Sequence, residues 1–410
     1  MQRTWHVLLF LIVAACGGLQ DGAPPAALPQ PDLVARQLIV FKELFTRLDQ
    51  GYVHADFGGT DWEAQAAQVR DQIEEGMTDG EFSAALEALV LSLPEGTASY
   101  ISRADRVQAE FDSSTTYEGI GAFVSIRTDP KPRILLLSVI QDSPAAKAGL
   151  DAHDAIYSVD GTPVTREEGL AVIDRVRGPA GTEVTLEVTS PGETPRQVTL
   201  ERGKVSASDT FQGAMLAPGL IYLLVPVSAD DSLIEALAGL LQSLIDQEQT
   251  PQGLVLDLRI AGSSSQWPLA GMLGLLGHGS MGHFNSRDGD QSVDIQGRDF
   301  ARSQSIPLAV LVGPDTSGAP EVFAAALQSI GRGSVIGLPT SGSVLSFQEH
   351  ILADGSLLTF ADSSFVTPDG TDLSLSGLTP DVIVELDWDQ VQAGSDPVLL
   401  KAIELLQQGS

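Results

Sequence analysis

The side chains that could do chemistry in this chain include two adjacent hydroxyls, Thr316 and Ser317, which precede Gly318 at the start of a predicted helix. A hydroxyl attacks a carbonyl group only when a neighbouring base takes its proton. No lysine occurs between Lys204 and Lys401, so this stretch has no buried amine that could act as the base. The pattern therefore offers nucleophiles without an evident partner.

Histidines are the remaining candidate bases. His350 lies seven residues after Ser343, another hydroxyl of this stretch, and is therefore roughly 23 Å from it along an extended strand. His278 and His283 fall in a predicted loop. A lone histidine is more often solvated or satisfied than catalytic. Three carboxylates could orient a histidine: Asp315, Glu321 and Asp257. Acidic residues are abundant in this chain, however, so their presence alone does not predict a site.

Composition excludes several classes of function. The 410 residues carry a net charge of −31 and no basic run, so the chain would be repelled by nucleic acid and by anionic lipid headgroups. No cluster of histidine and cysteine and no glycine-rich phosphate loop is present, so no metal or cofactor is predicted. With 43% hydrophobic residues, the chain can form buried cores.

The elements that must position these side chains alternate between strand and helix over residues 205–390. Such alternation predicts a layered α/β structure. The predicted strands are Gly219–Val225, Gly253–Arg259, Pro307–Val312 and Ser334–Gly337, and the predicted helices are Leu233–Ile245 and Glu321–Ile330. Residues 391–410 are expected to form a C-terminal helix.

Residues 115–203 carry short motifs in a fixed order: Gly119-Ile120-Gly121-Ala122, Asp142-Ser143-Pro144-Ala145, Asp160-Gly161 and Arg177-Gly178-Pro179. This order resembles a PDZ domain, a β-sandwich-like domain that binds peptides. The resemblance implies a set of peptide-binding residues: Gly119, Ile120, Gly121, Ala122, Val172, Ile173 and Val176.

The physical chemistry of this segment agrees with that role. Glycines at 119 and 121 allow consecutive N–H groups to point into one concavity, which suits the carboxylate of a peptide's last residue. The strand from Ala122 to Ile126 could pair with the peptide by strand addition, beside a pocket lined by the helix that follows. Alternatively, the domain only packs against its neighbours.

Residues 33–110 show helical spacing, in which Leu38, Phe41, Phe45 and Leu48 recur at steps of three and four. A second helix is predicted from Trp62 to Glu75, with Asp61 as its cap, and a third begins near Asp79. This segment resembles the N-terminal helical domain of carboxyl-terminal processing peptidases. Pro94-Glu95-Gly96-Thr97 replaces the Asp-Pro-His-Thr element that is usual in that family.

The whole order of segments resembles that family, whose core is related to the Clp protease and crotonase folds. The resemblance implies a multi-domain α/β protein and a serine peptidase that uses a Ser-Lys dyad. When the sequences are matched at Glu321, the nucleophile position falls on Gly318 and the lysine position on Ser343. The family's glutamine falls on Phe347, or on Gln348 after a shift of one residue. Its paired glycines are replaced by Ser263-Ser264.

The first residues resemble the signal of a bacterial lipoprotein. An apolar run from Val7 to Ala15 is too short to span a bilayer and directly precedes Cys16, the only cysteine. We therefore expect a signal peptide over residues 1–15, lipidation at Cys16 and a flexible spacer over 16–32. These features predict an exported protein anchored at the cell envelope. An ordinary signal cut after Ala15 is the alternative.

Two hypotheses follow from the degenerate dyad. The first is a pseudopeptidase whose PDZ domain holds unfolded segments or C-terminal tails of exported proteins. The second is an active serine endopeptidase that cuts near C-termini through a rearranged site, with Ser317 as the fallback nucleophile. The departures at Gly318, Ser343, Phe347 and Ser263-Ser264 favour the first. The sequence predicts no oligomeric state.

Overall fold

The computed structural model describes residues 33–94, 96–112, 116–206, 211–247, 250–262, 267–392 and 394–408. The predicted signal, Cys16 and the spacer lie outside these residues. The described part forms a mixed helix and sheet structure in three regions, which confirms the predicted multi-domain α/β class.

The N-terminal region contains α1 (Leu33–Gly51), α2 (Trp62–Glu75), α3 (Asp79–Leu91), β1 (Ala98–Ile101) and α4 (Arg103–Asp112). The bounds of α2 are those predicted, and Asp61 caps it by accepting the Ala64 N–H at 3.2 Å. The region is not purely helical, however. β1 pairs with a strand of the third region, and the buried faces of the helices pack against that same strand.

The PDZ-like region contains β2 (Thr116–Gly119), β3 (Ala122–Arg127), β4 (Arg133–Val139), α5 (Pro144–Lys147), β5 (Ala155–Val159), β6 (Thr162–Pro163), α6 (Val172–Val176), β7 (Glu183–Thr189), β8 (Arg196–Glu201) and β9 (Gly203–Ser206). Its main sheet has the order β3-β4-β5-β7-β8, which places β3 at an edge. β2 and β9 form a separate antiparallel pair.

The third region begins with β10 (Gln212–Ala217), β11 (Leu220–Leu224), α7 (Ser232–Asp246), β12 (Gly253–Asp257), α8 (Leu269–Leu276), β13 (Gly279–Ser286) and β14 (Gly289–Ile295). It continues with β15 (Leu308–Val312), α9 (Ala319–Ser329), β16 (Ser334–Gly337), β17 (Leu345–Ile351), β18 (Leu357–Val366), β19 (Val382–Ile383) and α10 (Pro397–Gln408).

Two sheets organise the third region. In the first, with the order β10-β11-β12-β15-β16-β19, all neighbours from β11 onward are parallel. In the second, β18 pairs with β17 and also with β1 and β13. Parallel strands with helical crossovers are buried on both faces, and β12 and β15 are buried at every position.

A cluster of ion pairs joins the PDZ-like region to the third region. Arg127 at the end of β3 contacts Asp315 at 2.5 Å and Asp387 at 2.8 Å, and Ser125 donates its hydroxyl to Asp315. The neighbouring Arg133 pairs with Asp387 and Asp389. The Arg127 side chain is only 13% exposed, so these charges are mostly removed from water. The network fixes β3 beside the loop that follows β15.

Replacing Arg127 with methionine should therefore lower the free energy of unfolding by about 3 kcal/mol, because two half-buried carboxylates lose their main partner. Urea denaturation measures this loss. The matched control is Arg166→Met, which breaks an exposed pair with Asp129 and should cost less than about 1 kcal/mol. Equal losses in the two variants would contradict the structural role given to Arg127.

Candidate active site and peptide-binding surface

The parallel sheet brings the two degenerate dyad positions together. Gly318 is the residue before α9, and its N–H donates to the carbonyl oxygen of Ser343 at 2.8 Å. Its backbone has φ 64° and ψ −132°, a conformation that favours glycine. Gly318 thus occupies the expected nucleophile position beside the expected base position, but it has no side chain to attack with.

Ser317, the fallback nucleophile, is half-buried, and its N–H donates to the carbonyl of Ala261 at 3.2 Å. A Cβ built on Gly262 would lie 4.0 Å from the Ser317 hydroxyl oxygen. Among the described residues, that hydroxyl has no hydrogen-bond partner. The structure therefore places Ser317 beside the segment that follows β12, and no base in the described part of the chain contacts it.

The other hydroxyls near the site bond to neighbouring protein groups. Thr316 is fully buried and donates to the carbonyl of Leu258 at 2.8 Å, while its oxygen accepts the Gly313 N–H at 2.9 Å. The hydroxyl oxygens of Ser341 and Ser343 lie 3.0 Å apart. Thr316 therefore stabilises the turn after β15, and within the described ranges the side chain of Ser343 has only another hydroxyl as a partner.

Glu321 holds the loop that carries Ser343. This buried carboxylate accepts the hydroxyl hydrogen of Thr340 and, at 2.9 Å, the N–H of Gly342. Burial raises its pKa above the ordinary value, against the opposing effect of these two hydrogen bonds. Thr340 in turn accepts the N–H of Leu378 at 2.8 Å. Glu321 is therefore a positioning residue for this loop and orients no histidine.

The predicted histidine bases lie elsewhere. His350 stacks on Phe360 with ring centroids 5.4 Å apart, and burial lowers its pKa. His283 lies within β13 and His278 directly precedes that strand, so the loop prediction was wrong for His283. The alternating pattern of β13 is hard to recognise in the sequence because Gly279 and Gly282 interrupt it. Within the described ranges, no hydrogen bond joins any of these histidines to Ser317 or Ser343.

The two remaining carboxylates pair with arginines. Asp257, fully buried at the end of β12, contacts Arg259 at 2.6 Å and accepts the hydroxyl of Tyr222 at 2.9 Å. Arg259 also pairs with Asp396 at 2.6 Å. Asp315 is held by Arg127, as described above. Neither carboxylate is therefore available to orient a base.

The family's glutamine position also differs from the expected pattern. Phe347 is 47% exposed in β17, and Gln348 donates to Asp362 at 2.6 Å. Ser263 and Ser264, at the positions of the paired glycines, lie outside the described residues. No group of three potential metal ligands occurs in the described ranges.

The glycines predicted to bind a carboxylate form a tight turn before β3. Gly121 has φ 85°, and a Cβ there would lie 2.3 Å from the Cβ of Ser143, so only glycine fits. The carbonyl of Ile120 accepts the Ala145 N–H at 2.7 Å, and that of Gly121 accepts the Ile140 N–H at 3.0 Å. Among the described residues, the N–H groups of Ile120 and Gly121 have no acceptor.

The predicted wall of the peptide pocket is only partly accessible. Val172 and Val176 are buried in the hydrophobic core of the PDZ-like region, because α6 turns both toward the sheet. Ile173 is half-buried. Of the three predicted side chains, only Ile173 therefore has appreciable surface for a ligand, while Ala122 begins the open edge strand.

None of the described helices is both long and apolar enough to cross a bilayer.

Comparison with known proteins identifies two domains in this chain. A model of peptidase family S41 matches residues 226–384, and a PDZ domain model matches residues 136–190. The first match includes Ser317, Gly318, Glu321 and Ser343. The second covers α6 but not the turn from Gly119 to Gly121.

Individual relatives cover most of the chain. A carboxyl-terminal-processing protease of Synechocystis sp. is 28% identical over 305 residues, which is 72% of this chain and 70% of the relative. A carboxy-terminal-processing protease of Bartonella bacilliformis is 26% identical over 318 residues, which is 77% of this chain and 72% of the relative.

A solved structure extends this similarity to 90% of the chain. The photosystem II D1 C-terminal processing protease is similar with a TM-score of 0.65 and 25% identity, over 90% of this chain and 96% of that chain. The order of regions, the two domain matches and these relatives agree. The chain therefore contains a region of peptidase family S41 and a PDZ domain, and it is similar to carboxyl-terminal processing peptidases over most of its length.

Proposed function

We propose that this protein is a membrane-anchored pseudopeptidase that binds the C-terminal tails of exported proteins without cutting them. The observation that carries the proposal is the contact between Gly318 and Ser343, 2.8 Å from nitrogen to oxygen. The two positions are adjacent, as a dyad requires, but neither side chain can perform its step.

The chemistry of acyl transfer explains why. A serine attacks a peptide carbonyl when a neutral amine accepts its proton, and burial of a lysine supplies that amine. Gly318 has no oxygen, and the hydroxyl of Ser343 cannot accept a proton near neutral pH. Ser317 has a hydroxyl but no base among its described neighbours. The adjacent groups therefore provide no route for the first proton transfer.

Tail binding is supported by the turn before β3. Among the described residues, the adjacent N–H groups of Ile120 and Gly121 have no acceptor, and successive backbone donors of this kind favour an anion such as a carboxylate. The adjoining β3 is an edge strand, so a peptide could extend the sheet there. Half-buried Ile173 favours an apolar last residue.

The proposed location rests on the sequence before α1. Lipidation at Cys16 would anchor the protein at the outer face of the cytoplasmic membrane or in the periplasm, with residues 16–32 as the spacer. The net charge of −31 would keep the globular part away from anionic headgroups. This arrangement suits a protein that captures exported chains.

An active endopeptidase is the second candidate. One observation favours it: the Ser317 hydroxyl has no partner within the described residues and lies at the start of α9, where a helix end stabilises developing negative charge. This candidate requires a base that the described neighbours do not supply.

The proposal predicts binding without turnover. A peptide of about six residues with an apolar C-terminus should bind the protein and be recovered uncut after prolonged incubation, whereas its C-terminal amide should bind at least about tenfold more weakly. Calorimetry and mass spectrometry of the peptide measure both. Turnover that disappears in the Ser317→Ala variant would replace the proposal with the second candidate. Equal binding of acid and amide would exclude carboxylate capture.

Restoring the dyad should not restore cleavage. In Gly318→Ser combined with Ser343→Lys, the new serine must adopt the glycine conformation or displace the start of α9, at a cost of about 1–3 kcal/mol. Denaturation should show this loss of unfolding free energy in the double variant relative to Ser343→Lys alone. The double variant should also leave a fluorogenic peptide uncut. Recovered turnover would show that the side chains alone were lost and that the backbone remained competent.

A further inference from the structure

β17 is a second open strand edge. Among the described strands it pairs only with β18, so one row of its N–H and C=O groups faces away from the sheet. The first four positions after Leu345 are exposed. Such an edge can accept another extended chain.

The outer face of β17 is suited to a particular kind of chain. Phe347 is 47% and Ile351 is 64% exposed, and Glu349 lies between them on the same face, because alternate strand residues point to one side. Glu349 has no ion-pair partner in the described part of the chain. A segment that alternates apolar and basic residues would bury both apolar side chains and pair with this carboxylate.

The position of β17 connects it to the tail-binding surface. β17 begins just after Ser343, which contacts Gly318. In the segment between β15 and α9, three residues before Gly318, Asp315 accepts the hydroxyl of Ser125 from β3 at 2.5 Å. Two open strands, one from each domain, therefore converge on the degenerate site.

We propose that β17 binds, by strand addition, the extended segment that lies upstream of a tail held along β3. The inference rests on the proposed tail binding and adds the chemistry of the bound chain, which alternates apolar and basic side chains. β3 has six residues and β17 has seven. With about seven further residues to cross the site, the bound chain measures about 20 residues.

A polypeptide ligand fits this edge better than a second copy of this chain. Each copy carries a net charge of −31, and the edge itself presents Glu349, so edge-to-edge pairing brings like charges together. A segment with basic and apolar residues would instead be attracted to the acidic edge.

The test compares three synthetic peptides on the purified chain from residue 17 onward. The first is a tail of about six residues. The second has about 20 residues, with alternating leucine and lysine upstream of the same tail. The third is the second peptide with a C-terminal amide. The variant is Phe347→Ser with Ile351→Ser. The control, Leu91→Ser with Leu400→Ser, changes side chains that are 67% and 58% exposed in other elements.

The inference predicts that the long peptide binds about tenfold or more tightly than the short one, because two linked contacts reinforce each other. This gain should disappear in the Phe347 and Ile351 variant and persist in the control. The inference is overturned if the gain is absent or survives in that variant.

The long peptide with a C-terminal amide distinguishes failure of this inference from failure of the proposed function. If the short tail does not bind, tail capture fails, but binding of the long amide that depends on Phe347 and Ile351 would still support the β17 surface. Sedimentation of the protein without peptide tests the remaining alternative, which is self-association through β17. Self-association that disappears in the same variant would assign the edge to a second copy and overturn the inference.

Discussion

The parallel order of β11, β12, β15 and β16 is the constraint on which the site depends, because parallel strands end at the same edge of a sheet. The segments after β12, β15 and β16 therefore meet, and the N–H of Gly318 reaches the carbonyl of Ser343. Buried Glu321 holds the third segment through Thr340 and Gly342. The two positions of a Ser-Lys dyad are thus held side by side, but Gly318 and Ser343 cannot form such a dyad.

Ion pairs connect β3, the strand proposed to bind a tail, to the region that contains the parallel sheet. Arg127 ends β3 and pairs with carboxylates before α9 and near α10, so the strand expected to hold a tail is fixed beside the degenerate site. A peptide added to β3 would point its upstream residues toward Asp315 and the start of β17. Under the proposed function this geometry suits retention of a bound tail, and the proposed surface on β17 continues the binding site.

Local patterns in the sequence predicted much of this structure. Helical periodicity and the Asp61 cap defined α2. The family resemblance, matched at Glu321, implied that Gly318 and Ser343 occupy the two dyad positions, and these two residues are in contact. Contacts between distant segments were not predictable, because they leave no local pattern. Examples are the pairing of Arg127 with Asp387 and the addition of β1 to β18. That the Ser317 hydroxyl has no hydrogen-bond partner among the described residues likewise depends on a distant segment, Ala261 and Gly262, which lies against it.

The most direct test of the account is the reactivity of the hydroxyls at this site, independent of any substrate. A fluorophosphonate forms a covalent adduct only with a serine that a base has activated. The purified chain, incubated with a large excess of the reagent, should keep its unmodified mass, because among the described residues no base contacts Ser317 or Ser343. A stoichiometric adduct that maps to Ser317 and is absent from Ser317→Ala would contradict the account and establish an active serine site.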